Sequence, residues 1–297
     1  MAKTDRETIT FSARDGYELT GTLFVPNGKP RAGLLINSAT GFRQSYYQHF
    51  AAYAASRGCI VLTFDCRGIG ASAPDALRDF HMHYTDCGWH DMPAALDALA
   101  QKAPGLALIH VGHSVGGHFV GLWDNHDRVD AHAFVCAGSG YWRAHRLPSP
   151  IFELYFWHLY GPMMIRRHGY VPRGAGWRGT DLPRGLFEPW RRWCLSPDYF
   201  DSEVRSDPHF SGHHYELISK PIDSYVFTDD PIATPKTAQA ILDLYPSAQR
   251  TLLVREPNDH GVKSIGHNGP FQPRHKPAQK EILGTLAARV DIELEEV

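Results

Sequence analysis

The sequence predicts an α/β fold with a mainly parallel central sheet, helices on both faces and an inserted helical segment. Apolar runs of strand length alternate with helical segments along most of the 297 residues. The inner runs are apolar at nearly every position, which is typical of parallel strands covered on both faces. This alternation stops between residues 141 and 215, where Trp, Tyr, Phe, Arg and Pro are dense.

The elements follow in a regular order along the chain. Two alternating segments, 7–13 and 17–26, predict a hairpin that turns at Arg14-Asp15-Gly16. The later strands are predicted at 32–39, 59–65, 106–114, 129–138, 222–230 and 249–257, and the helices at 45–58, 89–105, 115–126, 234–246 and 276–294. We therefore expect a core formed by residues 1–140 and 216–297, with 141–215 inserted as a helical cap or lid.

Composition and charge exclude several classes of function. The net charge of −2 provides no general basic field for nucleic acid. The five cysteines are widely spaced, without a CxxC pair, which favours free thiols in a reducing compartment. We find no signal peptide and no apolar stretch of about 18 residues. These features predict a cytoplasmic protein with no nucleic-acid partner and no membrane span, and they leave a homodimer open.

Histidine is abundant, with 18 residues, but its distribution does not indicate a metal site. The histidines are isolated or in loose pairs, and no HExxH or Cys/His cluster frames them. The sequence therefore predicts no metal and no cofactor.

The strongest motif is Gly112-His113-Ser114-Val115-Gly116, which fits G-x-S-x-G between a predicted strand and a predicted helix. Glycines permit the sharp turn that presents a serine hydroxyl above the sheet. The Val115 N–H, at the start of the helix, would face a developing oxyanion. A phosphate-binding turn is the competing interpretation, but the glycine patterns of dinucleotide and P-loop sites are absent. We predict that Ser114 is a nucleophile.

A serine nucleophile needs a histidine base, which a carboxylate orients, and here the chain order should be serine, acid, histidine. Asp229 and Asp230 follow a late strand. Asp230 is favoured as the acid because a proline-containing loop follows it, and Asp229, which could instead cap the turn, stays open as the alternative. After the last strand, His267 in a glycine-flanked loop is favoured over His260, which we expect to be solvated.

The second oxyanion donor should come from the loop after the strand at 32–39. The Thr40 N–H is the predicted donor, and Ala39 stays open because the register is inferred. His113 and His118 flank the predicted nucleophile, and we expect them to support or line the pocket rather than transfer protons.

Several motifs together carry a family resemblance. The segment FDCRGIGAS (64–72) is similar to the D-x-R-G-x-G-x-S loop of the α/β-hydrolase superfamily, which is structural there. With VGHSVGGH, TDDPIAT and IGHNGPF, the chain resembles a largely uncharacterised bacterial group of predicted α/β-hydrolases from about residue 10 to 275. That group usually has aromatic residues after its final Gly-His, whereas here Pro270 alters the loop. The resemblance implies the α/β-hydrolase fold with a lid and a Ser-Asp-His triad, but no particular substrate.

These observations predict a serine hydrolase that cleaves a small ester or thioester through an acyl-enzyme. The partner would be a small-molecule acyl substrate, because the aromatic and apolar residues of 141–215 suit an apolar or aromatic group. An acyltransferase or a carbon–carbon bond hydrolase would use the same triad. A non-catalytic ligand-binding protein of the same fold is the remaining alternative.

Overall fold

The computed structural model describes residues 5–174, 177 and 179–295. The strands are β1 (Asp5–Ser12), β2 (Glu18–Val25), β3 (Ala32–Asn37), β4 (Cys59–Phe64), β5 (Ala107–His113), β6 (Ala131–Val135), β7 (Tyr170–Val171), β8 (Leu182–Pro183), β9 (Ile222–Phe227) and β10 (Arg250–Arg255). Eight of them form one sheet in the order β1-β2-β4-β3-β5-β6-β9-β10, while β7 and β8 pair with each other. The β1–β2 and β2–β4 pairs are antiparallel and the other pairs of the large sheet are parallel.

The α-helices are α1 (Gln48–Ser56), α2 (Met92–Lys102), α3 (Ser149–Tyr155), α4 (Gly161–His168), α5 (Arg184–Leu195), α6 (Asp201–Ser206), α7 (Pro235–Leu242) and α8 (Lys276–Arg289). In the described part of the chain, none of these helices combines the length and the apolar character needed to cross a bilayer. Two of the differences from the predicted helices have a local cause. The segment after β5 is a 3-10 helix, Ser114–Leu122, because its glycines favour an α-helix poorly. The last helix ends at Arg289, since Asp291 takes a positive φ of 52°.

Two apolar layers enclose the sheet. On one face, side chains of α1 and α8 pack against β3, β4 and β6. On the other face, α2 and the 3-10 helix contribute Leu96, Leu99, Phe119 and Val120. Strands β3, β4, β6 and β9 are buried along their whole length, as expected for strands of a mainly parallel sheet covered on both faces. The α/β class with a mainly parallel sheet is therefore confirmed.

The strand order creates a crevice at the carboxyl edge of the sheet. The chain moves from β3 to β4 on one side, whereas β5 lies on the opposite side of β3. Loops that leave β3 and β5 therefore diverge, and ligands of open α/β sheets bind where such loops separate. Asn37 at the end of β3 is paired with Gly112 in β5, so the loop carrying Thr40 begins beside the turn carrying Ser114.

Residues 141–215 contribute no strand to the large sheet in the part of the chain that the structure describes. A π-helical turn, Phe156–Tyr160, joins α3 to α4 in one continuous run. The segment contacts the core through Trp193 of α5, whose ring stacks on Tyr84 with centroids 5.7 Å apart. Part of the aromatic content therefore fixes this segment to the sheet. The division into core and lid stays a prediction.

Contacts with carboxylates hold the loop after β4 in place. Asp65 accepts hydrogen bonds from the N–H groups of Gln44 and Ala71, at 2.7 and 2.9 Å. The buried Arg67 guanidinium pairs with Asp91 and Asp15. These contacts agree with a structural role for the FDCRGIGAS segment.

A pair of glycine substitutions tests the close packing around Ser114. A Cβ at Gly116 would lie 2.4 Å from the Asn37 carbonyl oxygen, whereas a Cβ at Gly284 in α8 meets nothing within 4 Å. We expect Gly116→Ala to lower the free energy of unfolding by at least about 1–3 kcal/mol, as overpacking does. Gly284→Ala should raise it by about 0.5–1 kcal/mol through helix propensity. Urea unfolding measures both, and an unchanged stability of Gly116→Ala would contradict the packing argument.

Candidate active site

Ser114 lies on a strained turn between β5 and the 3-10 helix. Its φ is +52°, a region that residues with a Cβ rarely occupy. The turn is tight, because a Cβ at Gly112 would lie 2.5 Å from the Gly117 nitrogen. The hydroxyl is thereby held at the beginning of a helix, where the first N–H groups have no partner within the helix.

The structure brings the three predicted residues Ser114, His267 and Asp230 together. His267 Nε2 lies 3.2 Å from Ser114 Oγ, and its Nδ1 lies 2.8 Å from Asp230 Oδ2. The Asp230 carboxylate accepts, so Nδ1 donates to it, and in the neutral form of the ring Nε2 is the unprotonated nitrogen that faces the serine. Asp230 is fully buried, whereas the His267 side chain is 14% exposed and faces the crevice. This is the geometry in which a histidine can accept the serine proton.

Asp230 stays ionised despite its burial. Burial alone would raise the pKa of this carboxyl, but the charge and hydrogen bond of His267 lower it. The N–H groups of Ile232 and Ala233 lower it further by donating to Oδ1 at 2.7 and 3.0 Å. The net effect holds the pKa of Asp230 below its usual value. A charged acceptor is therefore maintained behind the imidazole.

Asp229 has a specific place next to this carboxylate. Its Oδ2 accepts from the Ser264 hydroxyl and the Ile265 N–H, both at 2.8 Å. Its Oδ1 accepts from the Gly266 N–H at 3.0 Å. Asp229 thus holds the loop that carries His267, while Asp230 contacts the ring itself. The sequence indicated only a turn-capping alternative, although the doubled aspartate was the available signal.

His113 connects two loops of the site. Its Nε2 lies 3.0 Å from the His267 carbonyl oxygen, and its Nδ1 lies 2.8 Å from the Tyr47 hydroxyl. Burial, with the charge of His267, lowers the pKa of His113 to about 3, so the ring is neutral. The carbonyl can only accept, so Nε2 donates and Nδ1 accepts from Tyr47. His113 therefore supports the His267 loop, as expected for a flanking histidine, but the role of Tyr47 had no sequence signal.

The two residues considered for the oxyanion site have different environments. The Ala39 N–H donates to the Tyr47 hydroxyl at 2.8 Å and is therefore occupied. Among the described residues, no acceptor is recorded for the Thr40 N–H. The Thr40 hydroxyl contacts the Tyr84 hydroxyl at 2.6 Å, which fixes this residue beside Ser114 and Val115. This arrangement favours Thr40 over Ala39.

The expectation that His260 is solvated is wrong. Its side chain is 5% exposed, and its Nε2 lies 3.4 Å from Glu281 of α8. The ring also packs on Phe227 with centroids 5.9 Å apart. The 3-10 turn Pro257–His260 folds the ring inward against α8, so His260 does not line the cavity with Ser114.

A cavity of about 180 Å³ opens in front of Ser114 and His267. The core contributes Thr40, Phe42, Val115 and His118 to its wall. The segment 141–215 contributes most of the aromatic wall, formed by Phe152, Phe156, Trp157, Trp177, Trp190 and Tyr199. Tyr141 and Trp142 do not line it, and neither do Arg191 and Arg192. Arg191 donates to the Trp157 carbonyl and Arg192 pairs with Glu203, so both arginines already have partners.

An ion pair joins this wall to the sheet. His145 Nδ1 lies 2.8 Å from Glu153 of α3, and His145 Nε2 lies 3.0 Å from the Ser139 carbonyl oxygen after β6. The Ser149 hydroxyl also donates to Glu153. Burial lowers the pKa of His145, but the hydrogen bond and charge of Glu153 outweigh it, and the pKa is raised above 6.5.

The Cys136 side chain lies close to those of Asp230 and His267, and these three residue types can bind a metal ion. One atom from each side chain lies within 4.8 Å of the other two. Burial, with the charge of Asp230, raises the pKa of the Cys136 thiol well above its usual value. Because a metal binds the thiolate, this cluster fits a metal ion poorly.

Sequence comparisons extend over only part of the chain. A family model described as serine aminopeptidase, S33, matches residues 28–168, which include Ser114 but neither Asp230 nor His267. Monoglyceride lipase of Homo sapiens is 28% identical over 105 residues, which are 35% of this chain. The match spans 33% of the length of that relative.

Structural comparisons extend over nearly the whole chain. A soluble variant of monoglyceride lipase from Saccharomyces cerevisiae, solved with a substrate analogue, has a TM-score of 0.69 at 14% identity and covers 97% of this chain and 96% of its own. Brefeldin A esterase, a bacterial homologue of human hormone-sensitive lipase, has a TM-score of 0.58 at 17% identity, with coverages of 97% and 78%. At these identities the likeness shows the fold.

The His145–Glu153 ion pair predicts a pH-dependent stability. The pKa of His145 is raised in the folded protein. The stabilising effect of the ion pair is therefore complete below pH 6.5, and it is lost as the pH rises through the raised pKa of His145. We expect Glu153→Gln to lower the free energy of unfolding by about 1–2 kcal/mol at about pH 6, and by less at about pH 9. Urea unfolding of both proteins measures the difference. A difference that does not change with pH would contradict this assignment.

Proposed function

We propose that this chain, which belongs to the α/β-hydrolase superfamily, is a serine hydrolase that cleaves esters of small acyl groups. The observation that carries the proposal is the hydrogen-bonded series from Ser114 through His267 to the buried Asp230. The position of Ser114 on a strained strand-to-helix turn supports the same conclusion. The names of the monoglyceride lipase and esterase relatives are consistent with ester chemistry.

In the proposed mechanism, His267 accepts the Ser114 proton while Oγ attacks the acyl carbonyl carbon. Asp230 keeps the proton on Nδ1 and stabilises the imidazolium that forms. The N–H groups of Thr40 and Val115 bind the oxyanion, and the loss of one such donor typically costs about 10²–10³ in rate. His267 then gives the proton to the leaving oxygen, and water releases the acyl group by the same steps.

The cavity favours a small acyl group. Its volume of about 180 Å³ is below the range of about 300–1,000 Å³ that drug-sized ligands occupy. A separate open groove of about 610 Å³ shares Phe42 and Asn268 with the cavity. The lining of this groove is mixed but more polar than that of the cavity, with Arg43, Tyr46 and Gln272 among its residues, so it suits a more polar leaving group. We assign the cavity to the acyl group and residues 141–215 to its lid.

Loss of the serine nucleophile is the first test. Ser114→Ala should abolish turnover of p-nitrophenyl esters and covalent labelling by a fluorophosphonate, with an unchanged melting temperature. Ser211→Ala is the matched control, because Ser211 is exposed and should be labelled and active like the unsubstituted protein. Intact-mass spectrometry and a chain-length panel of esters provide the measurements.

Three results would contradict the proposal in different ways. Wild-type activity of Ser114→Ala excludes this nucleophile. Failure of the unsubstituted protein to be labelled favours the non-catalytic alternative. Labelling of Ser114 without turnover of any ester favours the acyltransferase or the carbon–carbon bond hydrolase.

The adjacent aspartates should differ in their effect on rate. Asp230→Asn removes the charged acceptor of His267 Nδ1–H and favours the wrong tautomer, so we expect kcat to fall by about 10⁴. Asp229→Asn removes only part of the loop support, so kcat should fall by about 10–10² through misplacement of His267. Exposed Asp243→Asn is the control and should retain wild-type kcat. Equal losses in Asp229→Asn and Asp230→Asn would contradict the separate roles.

A further inference from the structure

An open groove adjoins the cavity that contains Ser114. The groove and the cavity share Phe42 and Asn268, and Asn268 directly follows the proposed base His267. When the acyl group occupies the cavity, the other half of the ester extends from Ser114 past these shared residues. The groove, with a volume of about 610 Å³, is therefore the space available to the leaving group.

Two arginines with free guanidinium groups line this groove. Arg43 and Arg173 are both exposed residues of its wall. Within the described ranges of the chain, no hydrogen bond or ion pair involves the guanidinium of either residue. Arg67, Arg192 and Arg289, in contrast, each pair with a carboxylate. Arg43 and Arg173 therefore keep all their side-chain donors available to a ligand.

The nearby carboxylates do not pair with these arginines. In the part of the lining that the structure describes, Asp181 is the only acidic residue, and its Oδ1 accepts the backbone N–H of Arg173 at 2.8 Å. Burial raises the pKa of the neighbouring Asp65, and the charge of Arg43 is one of the effects that oppose this rise. The oxygens of Asp65 already accept backbone N–H groups. The groove thus has an excess of positive charge, although the whole chain has a net charge of −2.

Hydrogen bonds bring the segments of the two arginines together. The Thr180 N–H donates to the Gly41 carbonyl at 2.8 Å, two residues before Arg43. Asp181, which follows Thr180, binds the Arg173 N–H. Arg43 belongs to the loop after β3, whereas Arg173 belongs to the segment 141–215. An anion that binds both guanidinium groups would therefore also connect this segment to the core.

The chemistry of the groove favours an anionic ligand. A guanidinium donates through a planar fork that matches the oxygens of a carboxylate or a phosphate, and it does not lose its charge. The Ser45 hydroxyl and the Asn268 amide add uncharged donors to the same lining. Phe42 and Tyr46, with ring centroids 5.0 Å apart, provide an apolar surface beside the cavity. A cationic group would meet like charge here.

We propose that the ester cleaved at Ser114 has an anionic leaving group, whose carboxylate or phosphate oxygens bind between Arg43 and Arg173. This inference rests on the proposed esterase function and specifies its substrates as esters of hydroxy acids or of phosphorylated alcohols. The two arginines are then specificity-determining residues, while the triad performs the chemistry.

Four aryl acetates with the same acyl group test the inference: 4-carboxyphenyl acetate, 4-acetoxyphenyl phosphate, the neutral 4-acetylphenyl acetate and the cationic 4-trimethylammoniophenyl acetate. Each kcat/KM, which reports acylation, is divided by the rate constant for hydrolysis of the same ester by hydroxide to correct for intrinsic reactivity. We expect at least one anionic ester to exceed the neutral ester by about ten-fold, as for one charge-assisted hydrogen bond. Added salt should reduce this preference, because it screens exposed charges.

Four variants assign the preference to its residues. Arg43→Gln and Arg173→Gln each remove one positive charge, so the corrected preference should fall several-fold in both. Arg43→Glu introduces a negative charge and should lower the preference further than Arg43→Gln does. Arg166→Gln is the matched control, because Arg166 is exposed in α4 and lies outside the groove lining, so the wild-type ratio should remain. The melting temperature and fluorophosphonate labelling of Ser114 verify that each variant is folded.

The outcomes separate this inference from the proposed function. A preference for either anionic ester supports the inference, and the larger ratio identifies the preferred group. Turnover of all four esters at the ratios found with hydroxide overturns it but leaves the esterase function intact. A preference that survives in both Arg43→Gln and Arg173→Gln, or that falls equally in Arg166→Gln, also overturns it. Absence of labelling and of turnover in the unsubstituted protein overturns the proposed function and, with it, this inference.

Discussion

The close approach of three backbone segments around Ser114 determines the rest of the site. The Gly116 backbone lies against the Asn37 carbonyl at the end of β3, and Gly112 lies against the first turn of the 3-10 helix. There is no space for a side chain at either position. This contact fixes Ser114 relative to the loop after β3, and Thr40 and Val115 line the same cavity as Ser114.

Hydrogen bonds between loops maintain the opposite side. The His267 loop is held at its backbone by Asp229 and His113, and at its ring by Asp230. His113 in turn accepts from Tyr47, which binds the Ala39 N–H. Loops after β3, β5, β9 and β10 are therefore connected. The contacts of His113 and Asp230 are buried or partly buried, so water weakens them little, whereas Asp229 is exposed.

The sequence predicts local features well and contacts between loops poorly. Strand and helix order follow from periodicity, and Ser114, Asp230 and His267 follow from a turn motif and from chain order. Tyr47 has no local signal, and the local patterns at Asp229 and His113 do not identify their partners, which lie up to 154 residues away. The polar segment around His260 predicts a solvated ring, yet α8 covers it.

The turn at Ser114 has a consequence for how the protein can change over evolution. The turn geometry requires glycine at the neighbouring positions, because a side chain does not fit there. Position 114 itself only has to tolerate a positive φ. Aspartate meets that demand comparatively well, and a thiol has nearly the size of a hydroxyl. The backbone of the turn therefore does not depend on which reactive atom the side chain at position 114 carries. A lineage can exchange its nucleophile, and with it the reaction class, without rebuilding the architecture that presents it.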